Sequence, residues 1–154
     1  MGITLQPVTA ENWKTLIKLK VREDQNHFVA SNLYSIAESH FGDNYEGHWD
    51  LHPFGIYDDE TPVGFLMYAY NFDHPTHQAF IQRLMVDEKY QGKGYGRFGM
   101  VRILEIFRAD QRIMAVGISY EPENDVARKL YASLGFVETG RMYDGEVEAI
   151  LNIR

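Results

Sequence analysis

Apolar and polar residues alternate along several short stretches of the chain, which is the pattern of half-buried β-strands. The predicted strands cover residues 3–8, 54–57, 63–70, 79–86, 113–119, 136–143 and 147–153. The stretch 113–119 is almost entirely apolar, so we expect it to be buried on both faces of a sheet. Asp144 and Gly145 separate the last two strands and favour a type I′ turn, which predicts a hairpin.

Apolar residues at helical spacing predict four helices. They are expected at residues 11–21, 32–41 and 97–107, and in a segment that begins after Asn124. In this last segment Ala127, Tyr131 and Leu134 recur at helical spacing, Asn124 is a suitable N-cap and Gly135 ends the pattern. The order β-α-α-β-β-β-α-β-α-β-β predicts an α/β fold in which helices cover a mixed sheet. With neither repeats nor a linker, residues 1–154 are expected to form a single domain.

Between the strand at 79–86 and the helix at 97–107 lies Gln-Gly-Lys-Gly-Tyr-Gly, residues 91–96. Glycines let a ligand approach the backbone closely, and the first N–H groups of a helix lack partners within the helix. Together with the helix dipole, these groups bind phosphate. The loop therefore predicts a phosphate-bearing cofactor.

Two other phosphate-binding motifs do not fit. Residues 94–99 match G-x-G-x-x-G in form, but residues 87–91 separate them from the strand and no second βαβ half follows. This spacing disfavours a nicotinamide or flavin protein. A P-loop requires Ser or Thr after its lysine, whereas Lys93 is followed by Gly94.

Composition excludes several classes of chemistry. The 154 residues include no cysteine, which rules out disulfides, thiolate metal sites and cysteine-linked intermediates. No pair of the six histidines has the H-x-x-x-H spacing of a helical zinc site together with the carboxylate general base of that motif, so no metal is assigned. The N-terminus has no signal-peptide core and no apolar run reaches the length of a membrane span. We therefore expect a soluble, cytoplasmic protein with no membrane partner.

The charges are distributed unevenly. The net charge is −7, and residues 23–82, termed the acidic segment below, contain ten carboxylates but no Lys or Arg. Residues 83–131 have nine Lys and Arg against seven Asp and Glu. An acidic surface repels nucleic acid and attracts cations. The acidic segment is thus either a solvated face that aids solubility or a site for a cationic substrate.

Two motifs in register resemble the GNAT superfamily of N-acetyltransferases. The first consists of Leu84-x-Val86 followed by Gln91-x-x-Gly94-x-Gly96. The second is Asn124-x-x-Ala127-x-x-Leu130-Tyr131-x-x-Leu134-Gly135-Phe136. The resemblance implies a GNAT fold with a central, mostly antiparallel sheet and helices on both faces. It also implies that the sheet splays apart after its fourth strand, beyond Val86, and that acetyl-CoA is the co-substrate.

The same resemblance implies which residues bind acetyl-CoA. Main-chain groups of Leu84, Met85 and Val86 are expected to contact the pantetheine arm and the thioester. Gln91 is expected to shape the loop and Asn124 to lie near the pantetheine. The pyrophosphate is expected to lie against Gly92, Lys93, Gly94, Tyr95, Gly96 and Arg97. For both lysines of this region, Lys89 and Lys93, an ordinary solvated surface role remains open.

Acetyl transfer to an amine needs two proton transfers. A primary ammonium has a pKa of about 10.4, so its deprotonation at pH 7 costs about 4–5 kcal/mol without assistance from a base, a water chain or a lowered pKa. In the resembled family a backbone N–H, here near Leu84 or Met85, stabilises the oxyanion. Tyr131 matches the family position of the acid that protonates the leaving thiolate, although it could simply pack the helix. Without a cysteine, the transfer is expected to be direct, in one ternary complex.

Within the superfamily the chain looks most like the small bacterial spermine/spermidine acetyltransferases. This likeness is carried by residues 63–68 and 86–94, and by Phe136-x-x-x-Gly140 before residues 144–146. It implies spermidine or spermine as the acceptor, and the acidic segment is an independent reason to expect a polycation. Another small amine, a peptide or protein amine, and a non-catalytic CoA-binding sensor or interaction module are the alternatives.

The general base is not identified by sequence. Polyamine-acetylating relatives often have a carboxylate two residues before the position of Leu84, and this chain has Gln82 there. Glu23, Asp24 and Asp73 are candidates by location alone. Aromatic residues of the acidic segment could contact an ammonium through cation–π interactions; they are Phe28, Tyr34, Phe41, Tyr45 and Trp49. The final strand, 147–153, is a candidate for pairing across a homodimer.

Overall fold

Seven strands form one mixed sheet in the computed structural model, which describes residues 2–42 and 48–154. The strands are β1 (Ile3–Pro7), β2 (Asp50–Asp58), β3 (Thr61–Tyr70), β4 (Ala79–Val86), β5 (Ala115–Tyr120), β6 (Val137–Tyr143) and β7 (Glu146–Asn152). Their order across the sheet is β1-β2-β3-β4-β5-β7-β6. Only β4 and β5 pair in parallel within the described residues. The predicted α/β class and mostly antiparallel sheet are confirmed.

The helices are α1 (Trp13–Leu16), α2 (Asn32–Phe41), α3 (Tyr95–Ala109) and α4 (Asp125–Ser133), with 3₁₀ turns at Glu23–Gln25 and Glu88–Tyr90. The predicted helix at 11–21 was wrong in length, because α1 is a single turn. Asn32 Nδ2 donates to Leu16 O at 2.9 Å, and Lys20 N donates to Asp87 Oδ2 at 3.0 Å. These long-range contacts replace the hydrogen bonds that would have continued the helix.

Helices cover both faces of the sheet, as predicted. On one face Met100, Ile103 and Phe107 of α3 pack with Ile56 and Leu66 in the larger buried cluster. On the other face a smaller cluster lies under α1 and α2 and comprises Ile36, Phe65, Met67 and Met85. β3 contributes to both clusters through alternate residues, which follows from the two-residue period of a strand.

β4 and β5 separate part-way along their length. They pair only at Ala79–Ile81 with Val116–Ile118, while β4 continues against β3 as far as Val86. Met67 pairs with Arg83 and Tyr68 with Ile81, so Gln82 is an extra residue in β4. Such a β-bulge bends its strand. The splay therefore begins after Ile81, not after Val86 as expected from sequence, and the bulge at Gln82 is its physical cause.

The edges of the sheet are β1 and β6. The final strand β7 lies between β5 and β6 and hydrogen-bonds to both. The prediction that this strand pairs across a homodimer was wrong, since neither of its edges is free. β6 is the exposed neighbour at that end of the sheet, with Val137 69% and Met142 59% exposed.

Candidate active site

The separation of β4 from β5 opens a cleft of about 1370 Å³. One wall is β4 and the glycine loop that follows it, and the other is formed by the end of β5, the first residues of β7 and α4. The bulge and the glycine loop therefore shape the same cleft: the bulge separates β4 from β5, and the loop borders the opening between them.

The glycine loop has the backbone expected of a phosphate site. Gly92 has φ 78° and Gly94 has φ 86°, a region that glycine enters without strain. Gly94 is the N-cap of α3 and provides no side-chain acceptor for the first N–H groups of the helix. A Cβ built at Gly92 would meet no atom within 4 Å, so the space above it is open. A phosphate group can approach these backbone N–H groups directly.

Gln91 and Asp87 hold the loop in place. Gln91 Nε2 donates to Val86 O at 3.0 Å and to Gln25 Oε1 at 2.9 Å, which joins the loop to the end of β4. Asp87 is 6% exposed and accepts from Lys89 N and Lys20 N, both at 3.0 Å. The hydrogen bonds of Gln91 support its expected role in shaping the loop, which stays a prediction. The role of Asp87 was missed, although an acidic residue directly after a strand is a typical cap.

The remaining loop side chains point to different partners. Tyr95 is 7% exposed and its hydroxyl donates to Asp58 Oδ2 at 2.5 Å, which fixes the start of α3 against β2. Arg97 donates to Ser133 Oγ at 2.8 Å, and Gly96 and Arg97 both line the cleft. Lys93 Nζ lies 5.8 Å from the Tyr90 ring centroid and is not among the lining residues. Whether Lys93, Tyr95 or Arg97 contacts phosphate stays a prediction.

The free edge of β4 faces the cleft. Leu84, Met85 and Val86 all line it while their other edge pairs with β3. The Met85 side chain is buried in the smaller cluster, so this residue offers mainly its backbone to the cleft. Val86 O already accepts from Gln91. The expected contacts from these three residues to the pantetheine arm remain predictions.

Helix α4 contributes Asn124 and Tyr131. Asn124 Oδ1 accepts from Ala127 N at 3.2 Å, so this residue is the N-cap that the sequence predicted. Tyr131 is 7% exposed, lines the cleft and packs against Tyr120 and Phe136 with centroid distances of 5.6 and 6.1 Å. Burial, then the negative charge of Glu146, raises the pKa of its hydroxyl. Tyr131 therefore retains its proton at neutral pH.

A sequence profile of the acetyltransferase (GNAT) family matches residues 13–136, most of the chain. The chain belongs to this family. It is an acyltransferase, and the matched region contains the glycine loop, the splayed strands and Tyr131. The resemblance on which the sequence analysis relied is confirmed.

Several relatives of this GNAT protein are known. A spermine/spermidine N(1)-acetyltransferase of Bacillus subtilis is 26% identical over 151 residues, 95% of each chain. The spermidine N-acetyltransferase of Vibrio cholerae in complex with CoA and spermine has a TM-score of 0.72 at 19% identity, covering 97% of this chain and 95% of that one. A dodecameric structure of the Vibrio cholerae enzyme has a TM-score of 0.70 at 19% identity, covering 98% and 94%. These structural matches show a common fold.

The carboxylates at the cleft of this GNAT protein come from the second half of the chain. They are Glu88, Glu121, Asp144, Glu146 and Glu148. None of the acidic-segment carboxylates in residues 2–42 and 48–154 lines the cleft. Asp43 and Glu46, together with the aromatic candidate Tyr45, lie outside the described residues. Sequence position therefore did not indicate which carboxylates share the cleft.

Of the acidic-segment residues Glu23, Asp24, Asp73 and Gln82, which the sequence suggested for the substrate site, only Gln82 lines the cleft. Glu23 and Asp24 belong to the 3₁₀ turn, and Asp24 pairs with Arg22 at 3.4 Å; their neighbour Gln25 is the member of this turn that lines the cleft. Asp73 is exposed in a turn after β3. Gln82 lines the cleft at the bulge. A substrate role for Glu23, Asp24 or Gln82 stays a prediction.

A group of aromatic and histidine side chains also lines the cleft. It consists of Trp49, His74, His77 and Phe80. His77 is 5% exposed, and burial together with the neighbouring His74 lowers its pKa to about 4, so it is neutral at pH 7.

Across residues 2–42 and 48–154, no three His, Cys, Asp or Glu side chains are grouped so as to hold a metal ion. None of the described helices is long and apolar enough to cross a membrane.

Proposed function

We propose that this acetyltransferase moves the acetyl group of acetyl-CoA to a primary amine of spermidine or spermine. The observation that carries the proposal is the arrangement of the cleft between β4 and β5. A glycine loop with unpaired helix N–H groups borders one end, and carboxylates of β7 and of the segments next to β5 and β7 border the other. An anionic nucleotide and a cationic amine would thus bind at opposite ends of one continuous space.

The residues present fit acetyl-CoA as the co-substrate. Gly92, Gly94 and Gly96 leave room for phosphate oxygens at the start of α3, and the free edge of β4 can hydrogen-bond an extended pantetheine amide chain. Relatives of the same fold bind CoA. A volume of about 1370 Å³ is sufficient for both substrates at once, as direct transfer requires.

Three groups would carry the chemistry. A backbone N–H of β4 near Leu84 or Met85 would stabilise the oxyanion, because a fixed hydrogen-bond donor stabilises negative charge more strongly in a site that excludes water than in solution. Tyr131 would protonate the leaving thiolate, since it lines the cleft and keeps its proton at neutral pH. The absence of cysteine from the sequence favours transfer in one ternary complex.

Polyamines are favoured as acceptors by the relatives and by the local charge. The Bacillus subtilis relative acts on spermine and spermidine by name, and it aligns over nearly the whole chain. Glu121, Asp144 and Glu146, at the end of the cleft opposite the glycine loop, could hold the secondary ammonium groups of a long polyamine. Arg22 and Arg141 line the same cleft, which favours a peptide or protein amine with a nearby carboxylate as the second candidate.

The test is acetyl-CoA-dependent thiol release with spermine, spermidine, putrescine, an aminoglycoside and a lysine peptide. We expect turnover to be concentrated on spermine and spermidine. Turnover on the lysine peptide alone would replace the polyamine proposal with the second candidate. No turnover with any amine, while acetyl-CoA still binds, would contradict both.

The same assay tests Tyr131. Tyr131→Phe removes the hydroxyl but keeps the ring that packs against Tyr120 and Phe136. Loss of a general acid costs about 100-fold or more in turnover in typical enzymes, and we expect at least about ten-fold here. Acetyl-CoA affinity, measured by calorimetry, should be nearly unchanged. Equal turnover of the two proteins would remove Tyr131 from the mechanism.

A further inference from the structure

Glu146, the first residue of β7, holds a carboxylate inside the cleft. Its Oε1 accepts a hydrogen bond from Ser119 Oγ of β5 at 2.6 Å. The side chain is half-buried, so its position is fixed while one face stays open to the cleft. The two strands that carry Glu146 and Ser119 pair through Tyr120 and Val147, which makes the carboxylate part of the rigid sheet.

The two glutamates of β7 that line the cleft differ in their partners. Glu148 is neutralised by Arg141, whose Nη2 lies 2.7 Å from its Oε1. Within residues 2–42 and 48–154, no Lys, Arg or His lies within ion-pair distance of Glu146. Glu146 is therefore a carboxylate at this wall whose negative charge has no direct counter-ion there.

The surroundings of Glu146 make it a better proton acceptor than an exposed glutamate. Burial raises its pKa, as do the charges of Glu121 and Asp144. The Ser119 hydrogen bond and the charge of Arg83, across the cleft on β4, act in the opposite direction but do not cancel the effect. On the α4 side, Tyr131 is near enough for the charge of Glu146 to raise the pKa of its hydroxyl. Glu146 and Tyr131 thus line the same part of the cleft.

We propose that Glu146 binds the ammonium of the acceptor amine and accepts its proton, with Ser119 as the positioning residue that holds the carboxylate. This inference rests on the proposed amine acetyltransferase function and assigns the base that the sequence did not reveal. Gln82, on the opposite wall at the β4 bulge, has an amide side chain that cannot accept the proton.

The step balances as follows. One proton of R–NH₃⁺ passes to Glu146, and the nitrogen lone pair of R–NH₂ forms the N–C bond to the thioester carbon. When the C–S bond breaks, its electron pair leaves with sulfur, which takes the Tyr131 proton to give the CoA thiol. The second proton lost by nitrogen restores the Tyr131 hydroxyl. Glu146 then releases its proton to solvent, and the products are the acetamide, the thiol and one proton.

The test compares Glu146→Gln with the matched control Glu105→Gln. Glu105 is an exposed glutamate of α3 paired with Arg102 and does not line the cleft. Since a general base contributes about 100-fold or more, we expect kcat/KM for spermidine to fall at least about 100-fold in Glu146→Gln and to be unchanged in Glu105→Gln. Calorimetry with CoA confirms folding, because the glycine loop lies at the other end of the cleft.

The pH profile separates a base from a merely structural residue. Without the base, only amine already deprotonated in solution reacts, so the Glu146→Gln rate should rise about ten-fold per pH unit below a pKa of about 10.4. The wild-type profile should reach a plateau well below that pH. Ser119→Ala should show an intermediate loss of kcat/KM and a plateau displaced to higher pH, because the hydrogen bond that it removes lowers the pKa of Glu146.

The outcomes distinguish the two proposals. If the wild-type protein acetylates none of the amines tested, the proposed function fails. If the wild-type protein is active and Glu146→Gln has the same kcat/KM and pH profile, this inference alone is overturned. If Glu146→Gln does not fold, Glu146→Asp is the second variant. It keeps the negative charge but shortens the side chain by one methylene, which moves the carboxylate away from the amine. Normal CoA binding with a reduced kcat supports the inference, and a wild-type kcat contradicts it.

Discussion

The two ends of the cleft are assembled in different ways. The end proposed to bind the cofactor, termed the cofactor end, is one continuous piece of chain, from β4 through the 3₁₀ turn at Glu88–Tyr90 to the start of α3. The end proposed to bind the amine, termed the acceptor end, brings together β5, β7, α4 and the segment that contains His74 and His77. A site made from contiguous residues is visible in the sequence as a motif. A site made from distant strands depends on register and topology, which no short motif records.

The carboxylates of the molecule show the same difference. Several of those in the acidic segment already have partners within the fold: Glu38 with Arg83, Asp58 with Tyr95, and Asp24 with Arg22. The carboxylates that line the cleft come from outside this segment. A charged run in the sequence is therefore a poor guide to a charged cleft, because pairing determines where charge remains available.

The largest effect should come from the cofactor end. Gly92→Val adds a side chain where phosphate is proposed to meet the backbone, at φ 78° and with no atom now within 4 Å. We expect the Kd for CoA to rise about 100-fold, equivalent to about 3 kcal/mol. Isothermal titration calorimetry measures it.

Gly140→Val is the matched control for this substitution. Gly140 has φ 85°, also has open space around it and lies in the exposed strand β6. Both substitutions should destabilise the fold by about 1–2 kcal/mol, because both force a left-handed backbone on a residue with a Cβ. Only Gly92→Val should weaken CoA binding. An equal loss of affinity in the two variants would show that backbone strain, and not contact with the ligand, is responsible.

A smaller effect is expected in the acidic segment. Glu38 of α2 and Arg83 of β4 form an ion pair of 3.1 Å with side chains only 9% and 17% exposed. Glu38→Ala leaves the guanidinium without this partner, so the free energy of unfolding should fall by about 2 kcal/mol. Glu60→Ala, in the exposed turn between β2 and β3, should change it by less than about 0.5 kcal/mol. Urea denaturation followed by circular dichroism measures both; equal stabilities would contradict a structural role for Glu38.

Much of the fold followed from the sequence because its determinants are local. The period of apolar residues gave β3 and β4 to within two residues, and the Asn124 cap and the Asp144–Gly145 turn occur where their side-chain and backbone preferences predicted. The prediction of a helix at 11–21 was wrong because Lys20 and Asn32 make long-range hydrogen bonds, which the period of apolar residues does not reveal. The sequence did not suggest Glu146, the proposed base, for the same reason: its partner Ser119 is 27 residues away, on a neighbouring strand.

The smallest effect is the salt dependence of the acceptor end. Spermidine carries about three positive charges and the protein carries −7, so their attraction is screened as ionic strength rises. Between about 50 and 300 mM salt we expect the KM for spermidine to rise about three-fold, while the KM for a monoamine of similar length rises less. Acetyl-CoA, an anion proposed to bind at the opposite end, should not follow this trend. Equal responses of spermidine and the monoamine would mean that the unpaired carboxylate at Glu146 acts on one ammonium only, and that the remaining negative charge lies too far from the cleft to select a polycation.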